Sequence, residues 1–175
     1  MMQCRIWSRE EVFDREKLRE LQLERLKQTI RRVYDNVEHY KMKFDAKGIT
    51  PEDVTCLEDL KHLPFTVKDD FRSTYPFGLF SVPKEELVRF HASSGTTGKP
   101  TVVGYTRNDI SMWREMVARI VTRAGVTEKD TAQISFGYGL FTGALGLNQG
   151  LEEVGAAVIP MSSGNTKKQI MMMQD

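Results

Sequence analysis

Long apolar runs are missing from this 175-residue chain, and with them the roughly 20-residue stretch that a membrane-spanning helix needs. Cysteine is scarce. Cys4 and Cys56 are the two present, too few for a disulfide framework and without metal-ligand spacing, a usage that suits a reducing compartment. A surplus of either charge is missing too: 25 Lys and Arg stand against 24 Asp and Glu, a formal net charge of +1. Nothing in that balance marks a nucleic-acid or acidic-membrane partner. The opening residues, MMQCRIWSREE, carry charges where a signal peptide has its apolar core. The expectation is a soluble, cytoplasmic protein with no nucleic acid and no membrane as partner.

Proline and glycine are absent from residues 9–47, a densely charged stretch. There Leu23, Leu26, Ile30, Val33, Val37, Tyr40 and Phe44 recur at alternating spacings of three and four, one apolar stripe on a helix or on two helices broken near Asn36. Arg31 and Arg32 belong to its solvated face. Lys47-Gly48 ends the helical pattern. Thr50 caps a short turn begun by Pro51. Leu57, Leu60 and Leu63 give a small apolar face, and Thr66 to Phe71 starts another short helix. Residues 1–80 are expected to form a helical region packed on the core.

From Leu87 the period changes. Residues 87–92 and 101–106 read as strands flanking a loop. Thr106 and Asp109 form a capping box for a helix carrying Ile110, Trp113, Val117, Ile120 and Ala124, which stops at Gly125. Residues 131–136 read as a strand, 140–154 as a helix closed by Gly155, and 156–160 as a strand. Strand, helix, strand calls for parallel pairing, hence an α/β fold with a mostly parallel sheet flanked by helices over residues 81–175. A last helix, capped by Asn165 or Thr166, leaves Ile170 and Met171 to Met173 without cover. The expectation is the front part of a longer protein, its α/β subdomain incomplete.

The stretch FHASSGTTGKPTVV, Phe90 to Val103, is glycine- and hydroxyl-rich and closes on a lysine, which suits wrapping a phosphate. A Walker A loop requires glycine five residues before Gly98 and Ser or Thr after Lys99, then a helix. Ser93 and Pro100 stand there instead, and the β-branched run Thr101-Val102-Val103 follows. A dinucleotide fingerprint fails on its glycine spacing. What remains is a loop joining two strands, whose backbone N–H groups gather round a polyphosphate while Lys99 adds a movable charge.

Ser93 to Pro100 resembles the phosphate-loop motif of adenylate-forming enzymes, the acyl-CoA synthetase superfamily. Within it the similarity is greatest to the phenylacetate–CoA ligases and coenzyme F390 synthetases. It extends over Leu57 to Leu60, Leu63 to Thr66, Tyr75 to Phe80, His91 to Tyr105, Phe136 to Gly143, Ile159-Pro160 and Ser163 to Thr166. The resemblance implies part of the N-terminal domain of such an enzyme, behind the helical region. It also implies ATP-dependent formation of an acyl-adenylate from an aryl or arylacetic acid, with pyrophosphate leaving, then a coenzyme A thioester and AMP.

On that resemblance Ser93, Ser94, Gly95, Thr96, Thr97, Gly98 and Lys99 bind the ATP phosphates. Tyr138, Gly139, Phe141 and Thr142 line the acid pocket, with packing in the core as the alternative for the two aromatics. ATP, Mg2+, coenzyme A and a small carboxylic acid are the implied ligands, and a homodimer is left open. The family's remaining catalytic motifs lie beyond residue 175, so no catalytic residue is assignable and the segment alone is expected to be inactive. His91 reads as a packing histidine, and His39 and His62 carry no function. Adenylation of a deazaflavin and a non-catalytic nucleotide-binding role stay open beside the ligase.

Overall fold

The computed structural model describes residues 5–93 and 99–174. Helix α1 (Arg15–Asn36) and helix α2 (Glu38–Ala46) are separated by one residue, Val37. No proline or glycine makes this break. Val37 takes an extended conformation and is 2% exposed. Its N–H donates to the Val33 carbonyl (3.0 Å), while its own carbonyl accepts from Tyr40 and Lys41 (2.9 and 3.0 Å). The valine thus caps both helices while its side chain stays out of water. The expected stripe is the buried one: Ile30, Phe44 and Val54 form a core with Leu26, Tyr34, Tyr40, Ile49 and Leu63 packed around it. Truncating Phe44 to alanine there would cost about 3–5 kcal/mol.

Residues 51–53 and 57–62 form 3-10 turns. Leu60 is exposed, unlike the expected apolar face. Surface ion pairs Arg19–Glu58 and Arg31–Glu52 connect α1 to these turns. Helix α3 (Lys68–Ser73) is tied to α2 through Asp70, which accepts from Lys43 and from the Val67 N–H (2.8 Å) and lies 3.3 Å from His39 Nε2. His39 thus lies beside a carboxylate of another helix, though its Nε2 makes no hydrogen bond among the described residues.

Strands β1 (Leu87–Ala92) and β2 (Val102–Thr106) pair antiparallel, with His91 opposite Val103 and a register irregularity between Leu87 and Arg89. The Thr106–Asp109 capping box then starts helix α4 (Arg107–Arg123). Strand β3 (Thr131–Gln133), helix α5 (Gly143–Val154) and strand β4 (Ala157–Ile159) form a βαβ unit with parallel pairing. Among the described residues the strands make two separate two-stranded sheets, one parallel and one antiparallel. Helix α6 (Thr166–Gln174) follows Asn165, whose backbone is left-handed at φ 49°.

Helices α4 and α5 meet through small residues. A Cβ on Gly146 would overlap Trp113, and one on Gly150 would overlap Val117. Val121, Ile134, Ala144, Leu151 and Ala156 form the core beneath them. On α4 the buried side is Ala118, Val121 and Thr122, leaving Ile120 exposed. The expected stripe holds at Trp113 and Val117, which face the glycines of α5, and fails at Ile120, which lies off that contact.

Candidate functional site

The hairpin β1–β2 delivers both ends of the glycine-rich loop to one place. The Ser93 N–H donates to the Thr101 carbonyl and the Thr101 N–H donates to Ser93 Oγ, each at 3.0 Å. Ser93 thereby continues the ladder one step past the strand and closes the base of the loop. Ser94, Gly95, Thr96, Thr97 and Gly98 lie outside the described residues. Lys99 is exposed, with its Nζ 4.9 Å from the centroid of the Tyr75 ring, a cation–π contact.

The segment 136–142 leaves the carboxyl end of β3, where open α/β sheets bind ligands. Its aromatics divide. Tyr138 is half-buried against the core under α5, and its hydroxyl donates to Asn148 Oδ1 at 2.9 Å. Burial, with a smaller contribution from Glu152, holds its phenol above the ordinary tyrosine range, so it remains a donor. Phe141 is 54% exposed and faces Phe136 at a centroid distance of 6.3 Å. A Cβ on Gly139 would meet nothing within 4 Å, so packing does not require glycine there, whereas one on Gly143 would strike the Phe136 ring at 2.6 Å. Thr142 is the N-cap of α5, without a side-chain cap bond.

One backbone atom joins the two segments. The Leu140 carbonyl accepts from the Ala92 N–H at 3.0 Å and lies 2.9 Å from His91 Nδ1. A ring nitrogen facing a carbonyl must carry the hydrogen, so His91 donates as well. His91 is 2% exposed, set edge-on against Tyr105 and Trp113 at 5.5 and 5.8 Å. It packs, as expected, but it also links the entrance of the loop to the middle of segment 136–142. Residue types in sequence cannot show a main-chain acceptor. Asn148, the first polar residue of α5, was the visible clue to the Tyr138 partner. Ser162 was also missed; its backbone is left-handed at φ 62° and its Oγ lies 3.4 Å from the Tyr138 nitrogen.

The histidine engages a carbonyl and not a serine, so no nucleophilic triad is assembled through it. Among the described residues no group of three or more His, Cys, Asp or Glu side chains could hold a metal ion, and no helix is long and apolar enough to cross a membrane. A cleft of about 620 Å³ lies elsewhere, between Arg32, residues 79–88 and the start of α4, and none of Ser93, Lys99, Tyr138 and Phe141 lines it. The candidate site is open, with Phe136, Leu140 and Phe141 on its surface. Such an arrangement can position ligands and stabilise charge; it offers no covalent step of its own.

No family model matches the chain. Curated relatives do. The phenylacetate–coenzyme A ligase of Aromatoleum evansii is 54% identical over 165 residues, 94% of this chain and 38% of the relative. That of Pseudomonas putida is 55% identical over 158 residues, 90% of this chain and 36% of the relative. That of Escherichia coli K12 is 53% identical over 160 residues, 91% and 37%. The chain thus spans under two fifths of the length of the curated relatives it matches. Among solved structures, 2-hydroxyisobutyryl-CoA ligase in complex with 2-HIB-AMP and CoA superposes with a TM-score of 0.86 at 28% identity, over 95% of this chain and 36% of that one. Its postadenylation state with 2-HIB-AMP gives 0.84 at 26% identity, over the same shares. By sequence the chain is similar to the N-terminal part of the phenylacetate–coenzyme A ligases, and its fold matches the corresponding part of 2-hydroxyisobutyryl-CoA ligase.

Proposed function

We propose that this chain is the N-terminal portion of an AMP-forming acid–CoA ligase acting on an aryl or arylacetic acid of the phenylacetate kind. The observation that carries the reading is the shared Leu140 carbonyl. It sets the base of a glycine- and hydroxyl-rich loop beside a segment with an exposed aromatic pair, in a chain more than half identical to phenylacetate–CoA ligases.

In this reading the acid carboxylate attacks the α-phosphorus of ATP and pyrophosphate leaves. Residues Ser93 to Lys99 surround the departing phosphates, and the Lys99 ammonium, which among the described residues contacts the Tyr75 ring, adds positive charge to them. Phe141, with Phe136, offers the apolar wall for the aryl ring. Tyr138 supports that wall from beneath through Asn148. The thiol of coenzyme A then displaces AMP to give the thioester. Magnesium enters as the counter-ion of ATP. Domain limits near residue 80 follow the change from helical to mixed structure.

The test is pyrophosphate release by the full-length protein. Release that needs both phenylacetate and ATP, followed by thioester formation with coenzyme A, supports the reading. Release driven by a deazaflavin phenol, with none from phenylacetate or other aryl acids, would replace it.

A further inference from the structure

The histidine at the loop entrance is used by no step of the proposed reaction, yet it is almost fully buried and makes one directed polar contact. Its Nδ1 donates to Leu140 at 2.9 Å. Its Nε2 is buried and has no hydrogen-bond partner among the described residues, where the ring's polar contact is made through Nδ1. The aromatic rings of Tyr105 and Trp113, themselves stacked with centroids 5.2 Å apart, fix its plane. Trp113 is in turn braced by α5, where Gly146 leaves room for it. Movement of Leu140 therefore cannot be absorbed by rotation of the imidazole. It is passed to β1 at His91 and Ala92, and the next residue, Ser93, is the base of the phosphate loop.

We propose that His91 is a positioning residue that couples the acid pocket to the phosphate loop, so that each ligand raises the affinity of the site for the other. The inference rests on the ligase reading above. A carbonyl oxygen has two lone pairs, and here both are taken, one by the Ala92 main chain and one by His91. Tyr138 holds the first half of the segment through Asn148 and Ser162, and at Leu140 the Ala92 main-chain bond and the imidazole bond beside it hold the second. An acid settling against Phe141 and the Leu140 main chain then orders the loop entrance at the same time. Coupling is reciprocal by linkage, and typical magnitudes of five- to 150-fold set the scale, here on the order of tenfold.

The experiment is calorimetry on the full-length protein with phenylacetate and with the magnesium complex of α,β-methylene-ATP, each titrated with and without the other. His91→Asn keeps a donor at the position of Nδ1. His91→Phe keeps the aromatic packing and removes the donor. His91→Gln places its amide at the position of Nε2, away from Leu140. Mutual enhancement of about tenfold in the wild type, retained in His91→Asn and reduced to about onefold in His91→Phe and His91→Gln, is the expected result. Because two of the three variants are polar and isosteric in part, loss of folding in His91→Phe leaves the Asn–Gln comparison to decide. Enhancement that persists in His91→Gln, or that is lost equally in His91→Asn, overturns the proposal, as does a wild type that binds both ligands independently. A wild type that binds neither removes the ligase reading and this inference with it. A merely structural histidine would lower thermal stability in the variants and leave the coupling ratio unchanged.

Discussion

Gly150 of α5 lies so close to Val117 of α4 that a Cβ built on it would overlap the valine side chain and come within 3.1 Å of the Ala118 nitrogen. A side chain can rotate away from such an intrusion, but a helix backbone cannot. Gly150→Ala is therefore expected to destabilise the chain by about 1–3 kcal/mol, despite the gain in helix propensity. Gly139→Ala, where the added carbon meets nothing, is expected to stay within about 0.5 kcal/mol of the parent. Urea midpoints at constant slope measure both. Equal stabilities would refute the close helix contact.

Tyr138 and Phe141 were indistinguishable as pocket candidates by residue type, and the structure separates them by exposure. Tyr138→Phe removes the donor to Asn148 and is expected to cost about 1 kcal/mol of stability. Phe141→Ala is expected to cost little stability because the ring is exposed, and to raise KM for the acid. Melting curves and steady-state kinetics on the two variants check this. A stability loss in Phe141→Ala with unchanged KM would move the aryl wall elsewhere.

Lys99→Ala is expected to slow adenylate formation more than thioester formation, since only the first half-reaction expels pyrophosphate. Single-turnover assays of each half-reaction decide. Equal slowing of both would assign the lysine a role common to the two steps.

Asp59 accepts from the backbone N–H groups of Cys56 and Thr55 (2.9 and 2.8 Å), which lower its carboxyl to about 2. A depressed folded-state value means that the stabilisation is complete above the unfolded value, near 3.9, and is lost as pH falls toward 2. The stability difference between the parent and Asp59→Asn is thus expected to be constant from neutral pH to about 5 and to shrink below about 4. A difference that stays constant down to pH 2.5 would contradict the assignment.

The helical half was legible where local chemistry decided it. The Thr106–Asp109 box and the stripe from Leu26 to Phe44 appear where their spacing put them, and the break fell within one residue of Asn36. Less legible was anything that depends on a partner distant in sequence. Ile120 looked buried because helical periodicity cannot say which side a second helix will take. His39 looked idle because its partner, Asp70, comes from another helix. The loop could be recognised from its glycines and hydroxyls, but its attachment to residues 136–142 runs through a carbonyl, which every residue possesses. That bond was invisible until the chain was folded.

Trp7 and Trp113 are the tryptophans of the chain, and the second lies against His91, with Tyr105 stacked on its face. Indole emission responds to the polarity and motion of its surroundings. Trp7→Phe would therefore leave Trp113 as the one indole of these 175 residues, placed at the junction between the loop base and the segment 136–142. The fold carries its own optical gauge of that junction, one that needs no label.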